Sequence, residues 1–256
     1  MNKFEDDYKA LLNRVSHEGS LSQNRTGVNT ISKFNENLTI DLEKGFPLVT
    51  GKKMFFAKAL HEYVWIRDGL TTLTYLHKHG IRWWDEFADD NGNLGKTYGY
   101  QLRNFNGEID QLQYVNDTLK MDPFSRRMHI SLWNPSDLGE TILPPCYTGM
   151  TFMVENHMFL NMSVQLRSSD LFLGLPYDIA VMSLLLTNVA QFAGLVPKLL
   201  GVQITNAHIY ENHMEQVMRY LDLRTYELPR VVRGVNSPYL ISDYNHGPLL
   251  EAKLNN

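Results

Sequence analysis

The chain has 256 residues, 43% hydrophobic and 20% charged, which suits one large domain or two small ones with a sizeable core. A net charge of -4 and a pI near 6.1 exclude a global basic field for nucleic acid, so any bound anion is expected to be small and held by local arginines. A single cysteine excludes an internal disulfide and a cysteine-rich metal site. With a charged N-terminus that lacks a secretory signal, a cytoplasmic protein without a metal is expected.

Residues 4–17 place Tyr8, Leu11, Leu12 and Val15 at helical spacing. Gln23-Asn24-Arg25-Thr26-Gly27 is a loop with an arginine among turn formers. Residues 30–42 alternate loosely and predict strand. Residues 52–68 predict a helix with Phe55, Phe56, Ala59, Leu60, Tyr63 and Val64 inward. Glu62 sits among them, either paired structurally or kept for proton chemistry with a raised pKa. A short helix is expected within 70–80, then the aromatic cluster Trp83-Trp84-Asp85-Glu86-Phe87, a pattern more often core than ligand platform. Tyr98-Gly99-Tyr100-Gln101 follows, and a helix over 109–119 ends before Pro123. Ser125-Arg126-Arg127 is a loop entering a strand at 128–133; the pair is either solvated or extended toward a partner.

Residues 147–154 and 160–166 read as neighbouring strands around Glu155-Asn156-His157. Gly174-Leu175-Pro176-Tyr177-Asp178 reads as a loop entering a helix over 179–192, where Asp178 suits the N-cap. The apolar run 179–195 is interrupted by Asn188 and Gln191 and is short for a membrane span, so a buried core helix is expected. A strand is expected at 202–204. Asn206-Ala207-His208-Ile209-Tyr210 then leads into a helix over 211–221, and the tail carries short strands near Val231 and Tyr239. Without repeats or linkers, the whole chain reads as one domain of mixed α/β (α+β) type.

Cys146 lies in Leu143-Pro144-Pro145-Cys146-Tyr147. A lone cysteine is commonly a buried apolar thiol. Two prolines that fix an extended backbone beside it, and Arg167 in the nearby Gln165-Leu166-Arg167-Ser168-Ser169-Asp170, point instead to a thiolate in an electropositive setting. A thiolate can add to an electron-poor ring carbon, a glutamate can move protons on that ring, and arginines bind phosphate. His208 and Tyr210, two apart on a strand, face one way and can grip a sugar hydroxyl. Together these suit a pyrimidine nucleotide.

Pro144-Pro145-Cys146, the run from Gln165 through Ala180 and His208-Ile209-Tyr210-Glu211-Asn212-His213 resemble the thymidylate synthase family. So do Asn24-Arg25-Thr26-Gly27, His61-Glu62, Trp84-Asp85-Glu86, Tyr98-Gly99 and Ser125-Arg126-Arg127-Met128, in order from about residue 8 to residue 250. The resemblance implies a large mixed sheet with flanking helices and 5,10-methylenetetrahydrofolate as one-carbon donor. It implies that Cys146 adds to pyrimidine C6, that Glu62 organises water and proton transfers, and that Tyr98 helps deprotonate C5. Arg25, Arg167 and Ser168 would hold the phosphate, with Arg126 and Arg127 arriving from the second subunit of a homodimer. His208 and Tyr210 would bind the sugar, Asp170 would orient nucleotide and folate, and Trp84 would line the folate side.

This sequence departs from the methylase pattern at Asp178, where thymidylate synthases carry an asparagine that reads uracil and cytidylate hydroxymethylases carry aspartate. It also has Tyr147 for histidine, Asn206 for aspartate and Phe87 for tryptophan. Its polar Asn255-Asn256 end would seal a folate site less well than an apolar one and favour capture of water. The expected reaction is C5 hydroxymethylation of a cytidine monophosphate, dCMP by default and CMP as the ribose version. Methylation of dUMP or dCMP is the alternative, and a non-catalytic nucleotide-binding relative the distant one.

Overall fold

The computed structural model describes residues 2–232 and 239–255, so Asn256 of the polar end lies outside the described residues. Helix α1 (Lys3–Glu18) begins where the Asn2 side chain accepts the Glu5 N–H, and it buries Phe4, Tyr8, Leu11, Leu12 and Val15. Strands β1 (Ser20–Ser22) and β2 (Thr30–Asp41) form a hairpin around the Arg25 loop. Four helices follow: α2 (Phe56–Arg67), α3 (Leu73–Lys78), α4 (Tyr98–Arg103) and α5 (Gln111–Met121). Strands β3 (His129–Ser131), β4 (Tyr147–Glu155) and β5 (Phe159–Asp170) come next, then helix α6 (Gly174–Phe192) and strand β6 (Val196–Tyr210). Helix α7 (Met214–Asp222) precedes the small hairpin β7 (Arg230–Val232) and β8 (Leu240–Ser242).

The main sheet has the order β1-β2-β6-β5-β4-β3. Only β5 and β6 pair in parallel, joined by α6; the other neighbours are antiparallel. One face is apolar and covered by helices: Met162, Val164 and Leu166 of β5 and Leu200, Val202 and Ile204 of β6 are buried with α2 and α6 in one core. The opposite face carries the register partners Thr151 and Ser163, Gly149 and Gln165, and Gln165 and Gln203. Met153 stands out 58% exposed on β4 and Phe34 78% exposed on β2, beside Asn35 at φ 60°. The architecture is the mixed α/β sheet with flanking helices that the sequence predicts.

Helix α6 and strand β6 differ from expectation, and the stretch after Thr97, given no element in the sequence reading, has one. Helix α6 starts at Gly174, not after Asp178, so Asp178 is an interior residue of its second turn and not the N-cap, a position held by Leu173. Pro176 is tolerated there because the first helical N–H groups have no intrahelical partner. Strand β6 runs on through Asn206, His208 and Tyr210, because their pairing with β2 and β5 overrides weak strand propensity. The segment after Thr97 is helix α4. Its Gly99 fits against Gly69 Cα, Ile66 O and Leu70 O, each 3.1 Å from where a Cβ would stand, so glycine lets α4 meet the end of α2.

Candidate active site

The topology gathers the motifs at one edge of the sheet. Parallel β5 and β6 bring their last residues together, with Ser168 opposite Asn206 and Asp170 opposite His208. Antiparallel β4 and β2 contribute their first residues to the same edge, so Cys146 and the Arg25 loop join them. Glu62 comes from the middle of α2, Asp178 from the start of α6 and Tyr98 from the start of α4.

Cys146 is held by its backbone. Its N–H donates to Tyr98 Oη at 2.7 Å, and its carbonyl accepts the Arg167 N–H at 2.9 Å. The Arg167 guanidinium donates to Pro145 O at 2.9 Å and Pro144 O at 2.8 Å, so both prolines serve the arginine as acceptors. Burial pushes the thiol above the ordinary cysteine value, and Asp178 adds to this; Arg167, Tyr98 and Arg25 oppose it without prevailing. This corrects the expectation of a thiolate set up by its electropositive surroundings: desolvation of the thiol outweighs the arginines.

The carboxyls differ from one another. Burial raises the pKa of Glu62, although Trp84 Nε1 and Trp83 Nε1 donate to Oε1 at 2.7 Å and 3.2 Å. Asp178 is pushed up to about 8 by burial first and then by the nearby Glu62 charge, with Tyr147 acting in the other direction. Asp178 therefore keeps its proton at neutral pH. Burial would raise Asp170 as well, but His213, His208 and the Phe172 N–H, 2.9 Å from Oδ1, hold it below the usual carboxylate range. His213 Nδ1 stands 3.9 Å from Asp170 Oδ1, beyond hydrogen-bond length. Nε2 of the same ring lies 2.7 Å from the Lys253 carbonyl, and the Asn255 side chain pairs with Asn212 and with His213, so the polar tail rests on the residue beside Asp170.

His208 and Tyr210 lie on one side of β6 with ring centroids 5.3 Å apart, and Ser168 Oγ is 3.4 Å from His208 Nδ1. Arg25 is exposed at its turn, and its charge reaches both Cys146 and Tyr210. Arg126 and Arg127 are exposed, and the structure does not bring them to this edge. The Phe152 N–H donates to Met128 O and His129 pairs with Thr151, which puts Arg127 near Met153. That is roughly 23 Å along β4 from Cys146. Trp84 is buried against Trp65, Phe87 and Tyr98. Sequence reasoning missed two members, Trp83 and His213. The signal for Trp83 was a second indole beside Trp84; His213 gave none beyond its motif.

A family model described as Thymidylate synthase matches residues 6–247, so the chain belongs to the thymidylate synthase family. It is a one-carbon transferase that carries out folate-dependent C5 transfer on a pyrimidine nucleotide, with 5,10-methylenetetrahydrofolate as cosubstrate. The residues present fit a folate: Asp170, kept ionised, suits a ring that offers N–H donors, and the Trp83–Tyr177 pair, with centroids 5.3 Å apart, suits an aromatic arm. Among the described residues no helix is long and apolar enough to cross a membrane.

Proposed function

We propose that this enzyme hydroxymethylates a cytidine monophosphate at C5, with dCMP the default substrate and CMP the ribose alternative. The observation that carries this reading is Asp178, a helix-interior carboxyl beside Cys146, Tyr147 and Glu62 that holds a proton at neutral pH. Cytosine presents an N4 amino donor and a basic N3. A protonated carboxyl donates to N3 while its second oxygen accepts from N4. When Cys146 releases its proton to solvent and adds to C6 as the thiolate, the Asp178 proton moves to N3, leaving a carboxylate that accepts from N3–H and N4–H of the neutral adduct in two charge-assisted bonds. Uracil pairs with the protonated carboxyl only in the reversed sense, O4 accepting and N3–H donating, and has no basic N3 to take the proton; once Asp178 is ionised, it faces O4 with no donor between them. Such a mismatch costs about 1–3 kcal/mol.

The remaining roles follow the same reading. Arg25, Arg167 and Ser168 bind the phosphate, and His208 with Tyr210 binds the sugar. Tyr98, whose hydroxyl is kept protonated by burial, holds the Cys146 backbone and stands ready near C5. Glu62 moves protons through water, with Asp170 and Trp84 on the folate side. The folate supplies the carbon when bound. The polar seat of Asn255 on Asn212 and His213 seals the site less well than an apolar end would, which favours capture of water and hydroxymethyl over methyl at C5. Two copies pair through the open sheet face around Met153, which brings the Arg126 and Arg127 of each copy to the other's phosphate site. The whole chain acts as one catalytic domain in the cytoplasm.

The test is to offer CMP, dCMP, UMP and dUMP with methylenetetrahydrofolate and weigh the products. A hydroxymethyl gain on a cytidylate supports the reading and names the sugar. A methyl gain on dUMP overturns it in favour of thymidylate synthesis.

A further inference from the structure

Glu62 has two indoles on one oxygen and no donor on the other among the described residues. Trp84 is fixed by burial in the core. Trp83 is fixed differently, against Tyr177 of α6 at 5.3 Å and beneath Lys58 Nζ of α2 at 5.4 Å from its ring. It therefore bridges the two helices that carry Glu62 and Asp178. An oxygen that already accepts two N–H groups has its lone pairs engaged, so Oε2 is the atom left to take a proton.

We propose that Trp83 is a positioning residue for proton transfer: with Trp84 it occupies Oε1, directs protons to Oε2, and makes Glu62 the ionised member of the Glu62–Asp178 pair. This rests on the proton-moving role assigned to Glu62 above. Two buried carboxyls that feel each other's charge cannot both ionise at low cost. Donors stabilise an anion, and two indoles stand on Glu62, against the Tyr147 hydroxyl on Asp178. Glu62 is faced by Trp83 and Trp84 from the loop, by Tyr177 and Asp178 from α6, and by Tyr147 from β4; Asp178 is faced also by Asp170, Tyr98 and Cys146. The C5 proton that Oε2 takes by way of water passes on from the same atom to the departing folate amine, so Glu62 ends the cycle ionised.

The test is the pH profile of kcat in Trp83→Phe, which keeps a ring and removes the N–H. Release of tritium from C5-labelled dCMP and from C5-labelled dUMP, each with methylenetetrahydrofolate, is followed between acid and alkaline pH on whichever nucleotide turns over. Loss of one donor makes the Glu62 anion less stable, so the acid limb moves to higher pH. The alkaline limb, which belongs to Asp178 with Glu62 already ionised, stays in place. We expect kcat at neutral pH to fall about tenfold, a fraction of what general acid–base catalysis contributes. Nucleotide affinity stays within about twofold, since the N–H meets Glu62 and not the ligand. Trp83→Gln, which restores an N–H donor, returns the acid limb toward the wild-type position. A profile that only drops in height, both limbs fixed, overturns the proposal, as does a Gln variant indistinguishable from Phe. Glu62→Gln separates the two readings: a Gln variant with wild-type turnover removes the role of Glu62 itself, whereas an inactive one beside unmoved limbs in Trp83→Phe removes only that of Trp83.

Discussion

On the proposed reading the site has a phosphate end and a base end, and the two are built by opposite means. At the phosphate end, Arg25 is exposed on a turn and Arg167 hangs from two proline carbonyls, so positive charge meets solvent or backbone. At the base end, Glu62, Tyr98, Cys146, Tyr147 and Asp178 crowd one another, and burial raises the pKa of every one of them. The first end works by having charge and the second by rationing it to one carboxyl of a buried pair. An anionic phosphate needs fixed cations, whereas a base edge is read by where protons stand, which only a desolvated pocket controls.

The sharpest way to break the comparison is at the thiol. Cys146→Ser should cut kcat by about 10⁴-fold or more, because nothing else at the base end can bond to C6. Release of the C5 hydrogen measures this, and retained exchange would end the nucleophile assignment. Next, Asp178→Asn replaces a dissociable proton with an amide that suits uracil. The cytidylate-to-uridylate ratio of kcat/KM should shift roughly 100-fold toward uridylate; an unchanged ratio would mean that residue 178 does not read the base.

The same variant tests the cost of withholding charge. Asp178 ionises near 8 when folded but near the ordinary 3.8 when unfolded, so the folded protein binds an extra proton between those values. Stability therefore falls as pH rises through that window. Asp178→Asn should flatten this dependence and raise Tm at neutral pH by several degrees, as thermal unfolding at two pH values would reveal.

The phosphate end is sharpened by Arg126→Ala, expected to raise nucleotide KM about tenfold through loss of a charge-assisted contact. Mixing Arg126→Ala with Cys146→Ser should recover about a quarter of wild-type activity if each site borrows its arginine from the other copy. No recovery at subsaturating nucleotide would mean that Arg126 does not serve the other copy's site. The smallest change is Tyr147→Phe. Its hydroxyl holds the Asp178 pKa down, so its removal should move the alkaline limb of kcat upward while kcat itself changes by no more than about threefold.

The phosphate end was the more legible in sequence. Arg25 among turn formers and Arg167 after Cys146 announce themselves by residue type, and apolar alternation outlines β4 and β5. The base end was less so. Glycine and proline at 174 and 176 read as a loop, yet the first turn of a helix tolerates both, and so Asp178 looked like a cap. The thiol looked activated because sequence reveals the arginines but not the burial that opposes them. Trp83 looked like core because pattern cannot tell which indole points its N–H at a carboxylate. For the thiol the missing quantity was solvent exclusion, and for the indole its orientation, both properties of the assembled fold.

The parallel pairing of β5 with β6 has a consequence for how such an enzyme can change its substrate. Ser168 faces Asn206 and Asp170 faces His208 because of backbone register, so on the proposed reading the span from phosphate to sugar is a ruler cut into the sheet. No single side-chain replacement lengthens or shortens it, since a slip of one residue would turn every buried side chain of the strand outward. The residue proposed to read the base, Asp178, by contrast stands on a helix outside the ruler. Retargeting such a scaffold is therefore a one-letter edit at the helix, while the grip on sugar and phosphate is inherited unchanged.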